Sequence, residues 1–343
     1  MLNRKAYTVI NLILFFVWLA VACILIVYAN AKFKVFGLDA FIYSFTGLFV
    51  NYFLAIFVHE FGHILFAKFC GLKTAYVNFG LFAIDYTNGK EVKYFSKLSL
   101  EGGESAFIPK KELTKLKLRL TAFGGLLFTL LFAVALNIPM FISNNVFAFC
   151  FLTIGSCSAF YLFTVNLLPL DKTSDGSLLL SNRDYNDVLV AIANLQKQLS
   201  LEDIPAEDPI FKKSSEPLAI FLHFIYLTLQ NRKEEAIYCL TALQTDFSLL
   251  TDQEYTLIFP ELLYLACIKG RPDEEYVKRA EIFFNEESQN PSVIRAHCVY
   301  RKYLGDKDWT KALYDSYKRV VASSPNFIKA FESQIDFDLE SKK

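Results

Sequence analysis

The chain has 343 residues, of which 54% are hydrophobic, and its mean hydropathy is +0.31, values that indicate membrane-spanning segments rather than an ordinary soluble protein. Residues 1–176 carry 15 Lys and Arg against 9 Asp and Glu, whereas residues 177–343 carry 20 against 26, so the first part is basic and the second acidic. No basic stripe lies outside a membrane context, which argues against nucleic-acid binding, and the seven cysteines form no C-x-x-C pair, which argues against a disulfide scaffold.

Four apolar stretches are long enough to cross a bilayer, since about 20 helical residues span its hydrocarbon. They cover approximately residues 7–29, 41–69, 120–142 and 146–168. The first follows Arg4 and Lys5 and has features of a signal peptide, but its apolar core is longer than usual, so we expect a retained span. The predicted fold class is an α-helical multi-pass membrane protein of about four spans.

Positive charge predicts how these spans are oriented. Arg4 and Lys5 precede the first span, and the loop at 143–145 carries no charge. Between the second and third spans lie eight lysines: Lys73, Lys90, Lys93, Lys97, Lys110, Lys111, Lys115 and Lys117. Lys32 and Lys34 are a minor contrary signal. Because Lys and Arg accumulate on the cytoplasmic side, we expect a cell-membrane protein with both termini in the cytoplasm.

The second apolar stretch contains His59-Glu60-Phe61-Gly62-His63. Residues four apart share one face of a helix, so His59 and His63 can bind one ion, and imidazole nitrogen is a preferred zinc ligand. Glu60 is then placed to act as general base toward an attacking water. Three ionisable residues in one turn of an apolar helix are unfavourable at membrane depth, which favours a functional site over a polar cluster that only joins helices.

A zinc hydrolase needs a third protein ligand and an open fourth position. No third histidine lies in the apolar half, so the candidates are two acids that follow the fourth span, Asp171 and Asp175. We expect that span to end on the same side of the membrane as the second. Pro169 ends its helix, and Asp175-Gly176 is a turn signal that would direct a carboxylate back toward the histidines.

Residues 40–180 resemble the site-2 protease family of intramembrane zinc metalloproteases. That family combines H-E-x-x-H in one span with N-x-x-P and a following D-G at the end of a later span. The matching segments here are His59–His63, Asn166-Leu-Leu-Pro169 and Asp175-Gly176. The family often has a membrane-associated β-like segment with paired glycines between these motifs, and Gly102-Gly103 and Gly124-Gly125 are similar to such pairs.

The resemblance implies a zinc metalloprotease and a set of site residues. These are the zinc ligands His59, His63 and Asp175, the catalytic base Glu60, and Asn166, which would polarise the substrate carbonyl. Pro169 and Asp175 are one residue further apart than in the commoner family pattern, so Asp171 stays open as the alternative ligand.

Residues 92–108 alternate in part between apolar and polar side chains, as in Phe95-Ser96-Lys97-Leu98-Ser99-Leu100. This pattern is equally consistent with a strand edge to which an extended substrate adds and with an amphipathic loop on the membrane surface. Gly102 and Gly103 in this segment are the candidate substrate-binding residues.

The acidic half has the apolar spacing of helices. Predicted helices cover about 184–199, 215–230, 233–246, 252–269, 273–288, 292–304 and 308–323, and the proline-bearing residues 200–217 indicate a linker. Helix pairs of about 35 residues fit a helical-repeat array, and residues 309–325 resemble a degenerate tetratricopeptide-type unit, with a plain helical bundle as the alternative. We expect a cytoplasmic domain that offers a surface to a protein partner.

The predicted organisation is an N-terminal span over residues 1–37, a metalloprotease core over 38–180, a helix and linker over 181–217 and a helical domain over 218–343. The expected function is hydrolysis of peptide bonds in membrane-anchored proteins or peptide precursors within the lipid bilayer, with zinc as cofactor. Two alternatives stay open: an inactive relative that holds membrane peptides as a scaffold, and a membrane zinc enzyme that acts on another bond. The presence of Glu60 favours the protease over the scaffold.

Overall fold

Four long apolar helices make up most of the first half of the chain. In the computed structural model, α1 spans Arg4–Phe33, α2 Leu38–Phe69, α3 Lys115–Ile142 and α4 Val146–Leu167. All four are long and apolar enough to cross a membrane, so the predicted class of a four-span helical membrane protein is confirmed. Helix α3 begins at Lys115 because the Thr114 side chain caps it, accepting a hydrogen bond from the Lys117 backbone N–H.

The structure describes most of the chain in two compact units, Met1–Asn186 and Asp187–Lys343. The described residues are 4–34, 38–86, 92–95, 103–169, 172, 174–180, 184–199, 205–245, 250–268, 272, 274–284 and 290–335. After α4 come the short helix α5, Asp175–Leu180, and then α6, Asp184–Leu199. The finer division at residues 37, 180 and 217 stays a prediction.

Helices α2, α3 and α4 pack against one another, and α1 packs on α4. The backbones of α2 and α3 touch where Gly62 faces Gly124: a Cβ added at Gly124 would lie 2.6 Å from the Gly62 carbonyl oxygen. Small residues allow such close approach between membrane helices, where dispersion contacts replace the hydrophobic effect as the driving force. The crossing lies one residue from His63, so it also determines how α3 approaches the histidine pair.

Side-chain amides, one buried and one partly buried, join the same helices further along the bundle. The Asn51 amide of α2 donates to the Phe151 carbonyl of α4 at 3.1 Å. The Asn137 amide of α3 donates to the Ser156 hydroxyl of α4 at 2.8 Å. Polar contacts of this kind fix the rotation of one apolar helix against another, which dispersion alone specifies poorly.

A small antiparallel sheet lies between α2 and α3 in the chain. Its strands are β1 Leu72–Asn78, β2 Phe82–Asp85, β3 Val92–Phe95 and β4 Glu104–Pro109. The strand order is β3-β2-β1-β4, so β4 is an edge of the described sheet, and both β1 and β4 contact α2. The predicted β-like segment is therefore confirmed, and β3 and β4 form strands where the alternation left strand and loop equally open.

Among the described residues of the second unit, the regular elements are all helices, beginning with the part of α6 from Asp187 onward. The α-helices that follow are α7 Pro209–Lys213, α8 Pro217–Leu229, α9 Lys233–Thr241, α10 Asp252–Ile268, α11 Glu274–Phe283, α12 Pro291–Tyr303, α13 Lys307–Ser323 and α14 Asn326–Ile335, with a short 3-10 helix at Ala242–Thr245 after α9. The sequence analysis did not predict α7 or α14. Helix α7 interrupts the predicted linker, and it is held because Phe211 is almost fully buried and Asp208 caps its first turn.

A buried ion cluster joins three helices of this unit. The Arg295 guanidinium on α12 donates to Glu261 of α10 at 2.6 Å and to Glu332 of α14 at 2.8 Å. It also lies over the Tyr264 ring, 4.3 Å from the centroid. Since a buried charge needs partners with good geometry, the cluster specifies which helices meet.

The contact between Gly62 and Gly124 predicts the effect of a single added methyl group. Gly124→Ala is expected to lower the free energy of unfolding by about 1–3 kcal/mol, because the new Cβ overlaps the α2 backbone and cannot move aside. Thermal unfolding in detergent measures the change. Leu131→Ala on the exposed face of α3 is the control and should leave stability nearly unchanged. Equal stability of Gly124→Ala and wild type would contradict this packing.

Candidate metal centre

Three buried side chains from two helices converge on one point. His59 and His63 lie one turn apart on α2, and Asp175 is the first residue of α5. The two Nε2 atoms are 3.1 Å apart, and Asp175 Oδ2 lies 3.1 Å from His59 Nε2 and 3.3 Å from His63 Nε2. Among the described residues, these three form the single group of His, Cys, Asp or Glu side chains arranged to hold a metal ion.

The start of α5 directs Asp175 toward the histidines. Ser174 precedes the helix, and its hydroxyl accepts a hydrogen bond from the Ser177 backbone at 3.2 Å, as an N-cap does. The Asp175-Gly176 pair, expected as a turn, is instead the first part of this helix. Gly176 is needed for a different reason: a Cβ there would overlap the Leu167 carbonyl at the end of α4. Its missing side chain lets α5 return close to α4.

Helix α3 fixes the protonation of both imidazoles. His63 Nδ1 lies 2.8 Å from the Thr121 carbonyl oxygen, which can only accept, so Nδ1 carries the proton. His59 Nδ1 lies 2.8 Å from the Thr129 hydroxyl oxygen, which donates its own proton to the Gly125 carbonyl and must therefore accept from His59. Both Nε2 atoms are left with lone pairs directed at Asp175. Such outer hydrogen bonds orient the ligands in metal sites.

The cluster fits a metal cation. Three lone-pair atoms within 3.3 Å repel one another unless a cation lies between them, and Asp175 Oδ2 is buried without a hydrogen-bond partner among the described residues. A carboxylate oxygen and two imidazole nitrogens are ligand atoms that zinc prefers. Zinc bonds of about 2.0–2.2 Å in a tetrahedron place ligand atoms roughly 3.3–3.6 Å apart, close to the observed separations.

Glu60 and Ser105 form the polar contact next to this cluster. Glu60 is 3% exposed, and its Oε2 accepts a hydrogen bond from the Ser105 hydroxyl of β4. Gly103 lies against the same carboxylate, because a Cβ added there would overlap it. Ser105 was missed by sequence reasoning, since a lone serine in an alternating segment carries no signal of its own.

The other predicted site residues are placed as follows. The Asn166 amide donates to the Leu162 carbonyl of its own helix at 3.0 Å. Gly102 and Asp171 lie outside the described residues. In the second unit, the His297 ring stacks on Phe284 with centroids 4.1 Å apart, and burial together with Arg301 lowers the pKa of His297 to about 4. That histidine, which was not a predicted site residue, is therefore neutral at physiological pH and has a packing role.

A His-His-Asp cluster beside a carboxylate, among helices able to span a bilayer, is the arrangement of a membrane metalloprotease. The model of peptidase family M50 matches residues 47–340, most of the chain. The protein therefore belongs to peptidase family M50, the site-2 protease family, whose members are zinc metalloproteases, and the resemblance noted in its sequence is confirmed. The comparisons with curated proteins and with solved structures gave no significant match.

The third ligand is tested by removing each candidate carboxylate. Asp175→Ala is expected to weaken zinc binding by more than the roughly 10–100-fold that loss of an outer hydrogen-bond partner costs, because a donor atom itself is lost. Asp171→Ala should retain zinc. Metal analysis of the purified proteins after dialysis against a mild chelator measures both. Undiminished zinc in Asp175→Ala together with loss in Asp171→Ala would move the assignment to Asp171.

Proposed function

We propose that the protein is an intramembrane zinc endopeptidase that hydrolyses peptide bonds in membrane-anchored proteins or peptide precursors. The observation that supports this most is the convergence of His59 Nε2, His63 Nε2 and Asp175 Oδ2 within 3.3 Å, next to the buried Glu60. Three protein ligands leave a fourth position for water or substrate, which distinguishes catalytic zinc sites from structural ones.

In this proposal the chain's own residues carry the proton transfers. A bound zinc ion supplies Lewis acidity, which polarises the scissile carbonyl and makes water more acidic. The Glu60 carboxylate takes a proton from the attacking water and later gives it to the leaving amine nitrogen. One N–H of the Asn166 amide is used by the Leu162 carbonyl, and the second, which has no partner among the described residues, would donate to the substrate carbonyl.

The substrate must be extended at the point of cleavage, because a helical backbone hides its carbonyl groups in hydrogen bonds. Strand β4 lies at an edge of the described sheet and contacts the catalytic region through Ser105. An extended peptide can add to such an edge by main-chain hydrogen bonds. Gly103, the residue before β4, has no side chain to obstruct a neighbouring peptide, and with Gly102 it remains our candidate for substrate contact.

The proposed setting is the cell membrane, with the lipid bilayer around the four spans and the metal site close to the cytoplasmic face, where water can reach it. Both termini and the second unit would then lie in the cytoplasm, in keeping with the lysines between the second and third spans. The helical second unit would offer a surface to a protein partner, as helical arrays do. We retain the predicted domain bounds as part of this proposal.

The alternative of an inactive scaffold is less consistent with the surroundings of Glu60. A protein that only holds membrane peptides has no need of an ionisable residue at membrane depth beyond those that bind metal. Glu60 is nevertheless buried and hydrogen-bonded to Ser105 beside the metal cluster.

Catalysis is tested with an isosteric change of the base. Glu60→Gln is expected to slow cleavage of a co-reconstituted single-span substrate by about 10²–10⁴-fold, because the amide cannot accept the water proton. Bound zinc should stay at the wild-type level. Glu112→Gln, an exposed position before α3, is the matched control and should cleave normally. The proposal fails if wild type binds no metal or if Glu60→Gln cleaves as fast as wild type.

Orientation is tested with a reporter joined to the C-terminal end of the full chain. We expect activity of a cytoplasm-specific reporter and none of a reporter that works only outside the cytoplasm. The same pair of reporters placed in the loop at 143–145 should give the opposite result. An extracytoplasmic signal from the C-terminal fusion would overturn the proposed topology.

A further inference from the structure

We propose that Ser105 is the positioning residue of the general base: its hydroxyl holds Glu60 Oε2 and leaves Oε1 for proton transfer. The inference rests on the proposed protease function and adds a residue to the same site. It starts from the hydrogen bond that the Ser105 hydroxyl donates to Glu60 Oε2. Among the described residues, the other carboxylate oxygen, Oε1, accepts no hydrogen bond and lies against the Gly103 backbone, so the two oxygens have different surroundings.

The strand that carries Ser105 is held firmly to the helix that carries Glu60. Ser105 is opposite Val77 in the antiparallel pair of β4 and β1. Strand β1 follows α2 after a short turn at Gly71, whose positive φ of 75° suits glycine. Strand β4 is therefore joined to α2 in two ways, through its pairing with β1 and through the hydrogen bond from Ser105 to Glu60. A carboxylate held by a well-fixed donor has fewer orientations open to it.

Gly103 is an independent second contact from the same strand region. Its position leaves no space for a side chain, because a Cβ there would overlap Glu60. The backbone of residue 103 thus limits where the carboxylate can move, while Ser105 binds one of its oxygens. Together the two contacts confine a side chain that has three rotatable bonds and would otherwise sample several rotamers.

This arrangement suits the two proton transfers that hydrolysis requires. When the attacking water loses a proton, its O–H bond breaks and a new O–H bond forms at Glu60 Oε1. The Ser105 proton stays on its own oxygen throughout and continues to bond to Oε2. When the amine leaves, the proton moves from Oε1 to nitrogen and the carboxylate is restored. Because Ser105 lies on the edge strand proposed to receive substrate, the same strand would align the peptide and the base.

The test separates positioning from packing and from substrate binding. Ser105→Ala is expected to lower kcat about tenfold, the order expected for loss of one hydrogen bond to a charged group, with KM changed less than about twofold and zinc content unchanged. Ser105→Thr restores the hydroxyl and should recover most of kcat. Ser143→Ala, which removes an exposed serine hydroxyl between α3 and α4, is the control and should match wild type.

A second readout is independent of turnover. In metal-free protein, the infrared carboxylate stretch of Glu60, identified by its loss in Glu60→Gln, should shift in Ser105→Ala and not in Ser143→Ala. The inference is overturned if Ser105→Ala keeps the wild-type kcat and stretch, if it raises KM alone, or if Ser105→Thr is as slow as Ser105→Ala. If Glu60→Gln itself cleaves normally, the proposed protease function fails instead, so the two failures are distinguishable.

Discussion

The mutual repulsion of three lone-pair atoms is the constraint on which the rest of this structure depends. His59, His63 and Asp175 bring their acceptor atoms within 3.3 Å of one another in a buried position, which is unfavourable without a cation. A chain folds this way only if other contacts force the groups together. Helix α3 provides two such contacts, at Thr121 and Thr129, which hold both imidazoles from outside and aim their lone pairs inward.

Close contacts between helix backbones explain how the surrounding helices bring the two histidines and Asp175 together. Gly62 and Gly124 allow α2 and α3 to touch, so that Thr121 and Thr129 of α3 reach the Nδ1 atoms of the two imidazoles. Gly176 allows α5 to pack against the end of α4, so that Asp175 reaches the Nε2 atoms of the two imidazoles. The proposed metal ligands are therefore positioned mainly by residues that lack side chains, and by hydroxyl and carbonyl groups that are common in membrane helices.

The sequence predicts the parts of this site that have local signals. The apolar lengths predict four spans, the i, i+4 histidines predict a shared helical face, and the motif around Pro169 points to Asp175. Thr121, Thr129 and Ser105 have no such signal, because their contacts to α2 span 45 to 70 residues and depend on tertiary packing. Strands β1 and β2 were not predicted. Leu72–Val77 alternates in part between apolar and polar residues, and Asn78-Phe79-Gly80 contains turn residues. Such a short pattern in a segment with lysines is equally typical of a loop, so it did not indicate a strand.

Hydrolysis of a peptide bond at a membrane requires a substrate backbone that is hydrogen-bonded in lipid but has its scissile carbonyl free for attack. The small sheet offers a way to meet these two opposing requirements. In lipid, backbone groups must be hydrogen-bonded, which favours a helical substrate. For attack by water, the scissile carbonyl must leave its helical hydrogen bond and face the metal site. An edge strand resolves the conflict, because it supplies new main-chain partners to a peptide that has become extended. In this protein the edge we propose for the substrate is β4, the strand whose Ser105 contacts Glu60. In that proposal, one strand both stabilises the extended peptide and holds the general base.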